Sequence, residues 1–286
     1  MIKLSFSTNA FVRYSVFKAI EKIADIGYEG VELVTDIPHL YVYSITDSDM
    51  RKLKETIART RIQVANVNAN TAKGYYGRTF WDPLFEPSIA NPDPTVRKWR
   101  IDYSKKCIDL AFSIGCSNIS LTSGRMIPGV DLRQSLDILQ ESLRELLDYA
   151  SEKNIRIAIE PEPGLLIEYS RELESLLEEV DSPLLGVNLD LGHSHVLGEA
   201  PETVVETFSG KIFHVHIEDI RARKHYHLIP GLGDMDFEML FGLLDKYSYD
   251  GFVTVELYTY PYQPDEAARK SFSFLKGLSF WSSVKV

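Results

Sequence analysis

Four residues of this chain are of types that together bind a divalent cation: Glu160, Asp190, His216 and Glu256. Each lies at or near the end of a short apolar, β-branched run: IRIAIE (155–160), LLGVNLD (184–190), KIFHVHIE (211–218) and FVTVEL (252–257). Three carboxylates and an imidazole suit Mn2+, Mg2+, Co2+ or Zn2+, with coordination positions left open for substrate oxygens. Three carboxylates gathered in one cleft repel one another unless a cation sits between them. Taken singly, each residue has a plainer reading. Glu160 fits an exposed rim, Asp190 a turn cap ahead of Gly192, and His216 a hydrogen-bonded core histidine. Glu256, inside VTVEL, is costly to bury without a partner. The match between the ends of four successive runs makes them a candidate site for one divalent metal ion.

Six of the seven histidines fall between His193 and His227. In FHVHIED (213–219), strand alternation puts His214, His216 and Glu218 on one face. One histidine can bind metal while the other lies deeper or supports it; His216 is nearer the strand end. His193, three residues beyond Asp190, can reach over the site to contact substrate. His195 reads as surface or structural.

The elements that position these residues alternate. Strands are expected at 3–8, 30–34, 62–68, 117–122, 155–160, 184–190, 211–218 and 252–257. Helical periods fall at 15–26, 47–60, 95–114, 131–153, 170–180, 201–208 and 236–246. Gly27 ends the first helix and Ser170 is the expected N-cap of the fifth. Within 131–153, Leu132, Leu136, Leu139, Leu143, Leu146 and Leu147 face inward. Several strands read as nearly continuous apolar runs, as in a parallel sheet covered on its outside. Eight alternations without a composition shift predict one α/β domain over 1–286, a closed (β/α)8 TIM barrel with its site at the C-terminal strand ends. No GxGxxG follows the first strand to favour an open doubly wound sheet. The segment 71–94 breaks the rhythm with Tyr75, Tyr76, Phe80, Trp81 and Phe85. It fits a lid loop over the site, and equally a hydrophobic plug or oligomer contact. Tyr258, Tyr260 and Tyr262 fit either pocket or rim.

Hydrophobic residues make up 44% of the 286 residues and charged residues 25%, ordinary for a globular protein. No apolar stretch approaches the roughly 20 residues of a membrane span, and MIKLSFSTNAF lacks the pattern of a signal peptide. Two cysteines, Cys107 and Cys116, disfavour a disulfide scaffold and point to a cytoplasmic protein. A net charge of −10 disfavours nucleic acid as partner.

Five stretches carry a family resemblance: AIEPEPG (158–164), NLDLGH (188–193), FHVHIED (213–219), HLIPGLGDMDF (227–237) and VEL (255–257). VEL at 31–33 follows the usual second-strand pattern. In this order and spacing they resemble the xylose isomerase-like superfamily of sugar isomerases and epimerases, which also contains endonuclease IV. The resemblance spans the strands of essentially the entire chain. It implies that Glu160, Asp190, His216 and Glu256 bind the metal, and that Glu160 and Glu256 double as the acid/base pair. It also implies that His193 contacts substrate; Glu162 and His227, from the same stretches, and Arg223, just outside them, are further candidates for substrate binding. Where the family's epimerases carry an arginine six residues after the metal histidine, this chain has Ala222, between Arg221 and Arg223. Endonuclease IV places histidines where NAN (68–70) and LTS (121–123) stand here. That implies one metal rather than three, with His193, His225 and His227 as the residues for any second.

The expected activity is isomerisation or epimerisation of a sugar or sugar phosphate, by proton transfer through a cis-enediolate. The alternatives are dehydration of the inosose type, phosphodiester hydrolysis, and a non-catalytic barrel. The expected partner is a small carbohydrate or polyol, with neither membrane nor nucleic acid, in a chain that fits a homo-oligomer.

Overall fold

The computed structural model describes residues 1–76 and 85–283. Seven strands run in chain order: β1 (Lys3–Ser7), β2 (Gly30–Val34), β3 (Gln63–Asn68), β4 (Asn118–Thr122), β5 (Arg156–Glu160), β6 (Leu185–Asp190) and β7 (Ile212–Ile217). A short antiparallel hairpin follows, β8 (Asp219–Arg221) with β9 (Lys224–Leu228), and then β10 (Phe252–Val255). All strands but the hairpin pair in parallel and close into a barrel in the order β1-β10-β7-β6-β5-β4-β3-β2. The helices are α1 (Val16–Ile26), α2 (Asp47–Thr60), α3 (Pro94–Ser113), α4 (Leu132–Ser151), α5 (Ser170–Val180), α6 (Leu191–Leu197), α7 (Pro201–Thr207), α8 (Phe237–Lys246), α9 (Pro264–Lys276) and α10 (Phe280–Ser283). The expected (β/α)8 barrel therefore forms, with the expected elements ending within two residues of their predicted bounds. Among the described residues no helix is long and apolar enough to cross a membrane.

Local chemistry sets the helix ends. Ser15 caps α1 by accepting from Lys18 N, and Gly27 ends it at φ +112, where a side chain would be strained. Thr46 and Asp49 form a capping box at α2. At α5 the cap falls one residue earlier than expected, on Tyr169. Glu172 Oε2 accepts from the backbone N–H groups of Glu168 and Tyr169, and Ser170 turns its hydroxyl to Glu199 instead. Leu132, expected inward, is exposed in the first turn of α4.

The strands are not continuous apolar runs. Leu4, Phe6, Val31, Leu33, Ile157, Ile159, Val215 and Val253 face outward and are buried. Their alternates are polar and equally buried: Ser5, Glu32, Asn66, Ser120, Asn188, His214 and Thr254. These meet one another inside the barrel. Asn118 Nδ2 donates to Asn66 Oδ1 (2.7 Å), and Asn66 Nδ2 donates to Ser120 Oγ (2.9 Å). Branched apolar residues usually fill such an interior, so a polar filling marks this barrel as built around a site.

Candidate active site

Glu160 ends β5, Asp190 ends β6, His216 lies on β7, and Glu256 follows β10. Each offers one oxygen or nitrogen atom, and these four atoms all lie within 4.8 Å of one another. Parallel register sets the level: Asp190 pairs with His216, and His216 with Thr254, two residues before Glu256. All four are at least nine-tenths buried. Asn70 Nδ2 (2.5 Å) and Asn188 Nδ2 (2.8 Å) donate to Glu160 Oε2, while Glu160 Oε1 lies 3.2 Å from His216 Nδ1. Asp190 Oδ1 caps α6 by accepting from His193 N at 2.9 Å. Asp190 Oδ2 is sealed from solvent with no hydrogen-bond partner among the described residues. A buried carboxylate oxygen without a donor is what a cation would satisfy, and the donor set fits one divalent ion.

Burial pushes the Glu256 carboxyl well above the usual carboxylate range, and Glu160, Glu32 and Asp190 push the same way. Burial likewise lifts Glu162 to about 7, with Glu160 and Asp190 adding to it against His193. Burial would lower His193, but Asp190 and Glu162 outweigh it and raise the ring to about 10. For His216, too, surrounding carboxylates overcome burial and raise the ring well above its ordinary value. Bringing these groups together thus keeps protons in the site that a metal ion would displace.

Three of the four candidate substrate contacts, His193, Glu162 and His227, gather beside the carboxylates. His193 Nδ1 lies 3.0 Å from the Pro161 carbonyl, and its Nε2 lies 3.5 Å from Asp190 and 3.7 Å from Glu162. His227 lies beside His193, their ring centroids 6.0 Å apart, with its Nδ1 3.1 Å from the Glu256 carbonyl and its Nε2 2.7 Å from His225 Nε2. His193, Glu218, His225 and His227 form a second group of close donors, in which neither Glu218 oxygen has a hydrogen-bond partner among the described residues. Burial depresses His225 to about 4 and His227 to about 3, so both rings are neutral at pH 7. Arg223 is not drawn in. Ala222 and Arg223 both take positive φ (53° and 56°) at the exposed tip of the hairpin, which aims the guanidinium toward Gly198.

The glycine-rich stretch after His227 has a structural task. Asp219 Oδ2 accepts from Gly231 N and Gly233 N, and Oδ1 from Ile220 N and Met235 N, which winds that loop around one carboxylate. A Cβ at Gly233 would fall 2.1 Å from Asp219 Oδ1. His195 pins the same loop through Asp234 at 3.3 Å. Of the 71–94 segment, Tyr75 packs edge-on against Trp99 at 4.7 Å, within an aromatic group that includes Tyr103. Phe80 and Trp81 lie outside the described residues. Tyr258 lies 4.5 Å from the His227 ring, whereas Tyr262 is exposed and carries Arg13 against its face.

Five partners of the site, Glu32, Asn66, Asn68, Asn70 and Asn188, were given no site role in the sequence reading, though all but Asn66 lie in stretches it quoted. The one available signal was parity. Asn188 is two residues before Asp190, and Asn68 and Asn70 alternate at the end of β3.

A closed parallel barrel with a buried acid–histidine cluster at its C-terminal strand ends defines a (β/α)8 enzyme architecture. The chain belongs to the xylose isomerase-like TIM barrel family, whose model matches residues 20–278. It is 25% identical to the fructoselysine 3-epimerase of Shigella flexneri, over 97% of this chain and 98% of that protein. It is 29% identical to the inosose dehydratase of Clostridium perfringens, a match spanning 48% of this chain and only 53% of that protein. Among solved structures, a D-tagatose 3-epimerase-like protein superimposes with a TM-score of 0.77 at 22% identity, covering 96% of this chain and 98% of the other. An IolI protein with a bound zinc atom superimposes with a TM-score of 0.79 at 19% identity, covering 99% and 100%.

Proposed function

We propose that the protein is a divalent-metal-dependent isomerase or epimerase of a sugar or sugar derivative. The observation that carries this reading is the convergence of Glu160, Asp190, His216 and Glu256, with Asp190 Oδ2 buried and without a hydrogen bond among the described residues. The near full-length fructoselysine 3-epimerase relative, and the zinc bound by an IolI protein of the same fold, support it. Bound there, the ion would polarise a carbonyl chelated through adjacent oxygens and acidify the neighbouring C–H. Glu160 and Glu256 are the pair that takes and returns that proton. Asn70 and Asn188 fix the Glu160 carboxylate in one orientation for the transfer. His193, Glu162 and His227 present polar atoms for substrate hydroxyls from one side of the site.

Dehydration is the second reading, favoured by the inosose dehydratase match and by Ala222 standing where the family's epimerases carry arginine. Both begin with the same proton abstraction; isomerisation or epimerisation then returns a proton to carbon, whereas dehydration expels a β-hydroxyl as water. The test is incubation of metal-loaded protein in D2O with a panel of ketoses and inososes, followed by NMR. Solvent deuterium on the carbon next to the carbonyl, in a new stereoisomer or shifted ketone, is the expected result. An unsaturated ketone and released water would select dehydration. No exchange with any substrate, together with nicking of abasic DNA, would overturn both readings.

A further inference from the structure

We infer that Glu32 is a positioning residue for this site: it locks the His216 ring so that Nδ1, rather than Nε2, faces Glu160, Asp190 and Glu256. The inference rests on the metal-site reading above.

Glu32 sits between Val31 and Leu33 in β2, and alternation turns its carboxylate into the barrel, where none of it is exposed. β2 is not a neighbour of β7; β1 and β10 lie between them. The contact therefore crosses the barrel interior, joining residues 184 positions apart in the chain. His216 Nε2 lies 2.6 Å from Glu32 Oε2. A cation held between them at about 2.1 Å from each would hold the two atoms roughly 3 Å apart or more. The separation is that of a charge-assisted hydrogen bond.

The carboxylate cannot turn away, because two amides hold it. Asn66 Nδ2 donates to Oε2 at 2.8 Å, and Asn68 Nδ2 donates to Oε1 at 3.1 Å. Asn66 is itself oriented, since its Oδ1 accepts from Asn118 Nδ2. His214 Nε2, 3.4 Å from Oε2, is a second imidazole facing Glu32, and the Glu256 carboxyl interacts with Glu32 as well. Both Glu32 oxygens already accept amide hydrogens, Oε2 from Asn66 and Oε1 from Asn68, so the proton in the 2.6 Å contact is placed on His216 Nε2.

The other nitrogen, Nδ1, faces Glu160 Oε1 at 3.2 Å, the side on which an ion would displace its proton. Asn188 Nδ2 is fixed as a donor by Glu160 Oε2, and the same nitrogen lies 3.3 Å from His216 Nδ1. An amide N–H beside Nδ1 favours a lone pair there in the neutral ring. Strand geometry places the His216 Cα but leaves χ2 broad, so β7 alone does not decide which nitrogen faces the carboxylates. Glu32 supplies that decision from across the barrel, and a carboxylate behind a ligating imidazole also raises its basicity.

The test uses Zn2+-loaded protein and 1H–15N NMR of the histidine rings. The wild type is expected to show His216 protonated at Nε2, with that proton shifted downfield by its carboxylate partner and slow to exchange. Glu32→Gln keeps the size and an acceptor oxygen while removing the charge. Its Zn2+ affinity, measured by chelator competition, should fall about 10- to 100-fold, and the downfield proton should move or vanish at unchanged circular dichroism. His216 protonated at Nδ1 in the wild type, a result that needs no variant, would overturn the inference. So would equal Zn2+ affinity in Glu32→Gln. A wild type that takes up no ion at Glu160, Asp190, His216 and Glu256 would overturn the proposed function along with it.

Discussion

Metal binding should register as thermal stability, and Glu256→Gln should separate that gain from the stability of the metal-free fold. A ligand that binds only the folded state adds about 4 kcal/mol when its free concentration is 1,000 times Kd. At about 2 cal/mol/K of unfolding entropy per residue, 286 residues give about 0.6 kcal/mol/K, so the melting temperature should rise by about 7 °C. Burial and the neighbouring acids hold Glu256 well above the usual carboxylate range, so without metal it is favoured in its neutral form. A neutral amide of the same shape should therefore leave the metal-free melting temperature within about 2 °C of wild type, within the ~1 kcal/mol of a near-isosteric change. Losing one of four ligands should weaken binding at least 100-fold, the upper end seen for an outer partner. At the same free metal that leaves about 1.4 kcal/mol, or about 2 °C. The assay is scanning calorimetry with Mn2+, Co2+ and Zn2+, reversed by chelator. A variant that keeps the full metal-induced shift would refute Glu256 as a ligand. One that loses as much stability without metal as with it would refute the charge reasoning.

Glu162 gives a pH dependence. Its pKa is raised in the fold from 4.5 to about 7, so its stabilising contribution is complete below pH 4.5 and is lost as pH rises through 7. With the side chain only 13% exposed, that change is about 3 kcal/mol in metal-free protein, and Glu162→Gln should remove it from urea titrations run between pH 5 and 8. A pH profile identical to wild type would contradict the assignment. His193→Asn should leave metal affinity intact while kcat/KM falls about 10- to 100-fold, the effect of losing a charged hydrogen bond of about 1.5–3 kcal/mol; parallel loss of metal would instead make His193 a ligand. Asp219→Ala should destabilise by about 3 kcal/mol, because it orphans the N–H groups of Ile220, Gly231, Gly233 and Met235. A change below about 1 kcal/mol would show that the loop does not depend on this carboxylate.

The barrel was legible because its signals are local: the terminator at Gly27, the leucine period of 131–153, and eight short apolar runs alternating with helical periods. The four strand-end residues were legible for a related reason, since parallel register brings the ends of neighbouring strands to one level. Their supports were not. Glu32 reads as an ordinary strand residue until β2 and β7 face each other across the closed barrel. Asn66, Asn68 and Asn188 belong to a type that strands usually disfavour, so parity is the one local signal that marks them as interior. Arg223 turned on a single hairpin: two residues at positive φ carry it to the rim, a geometry that A-R-K does not announce. The Ser170 cap failed because Glu199, 29 residues downstream, competes for its hydroxyl.

The most direct measurement is anomalous diffraction from crystals loaded with Mn2+, Co2+ or Zn2+. The account predicts one dominant peak coordinated by Glu160, Asp190, His216 Nδ1 and Glu256. No ion there, or an ion held only by His193, Glu218, His225 and His227, would contradict it.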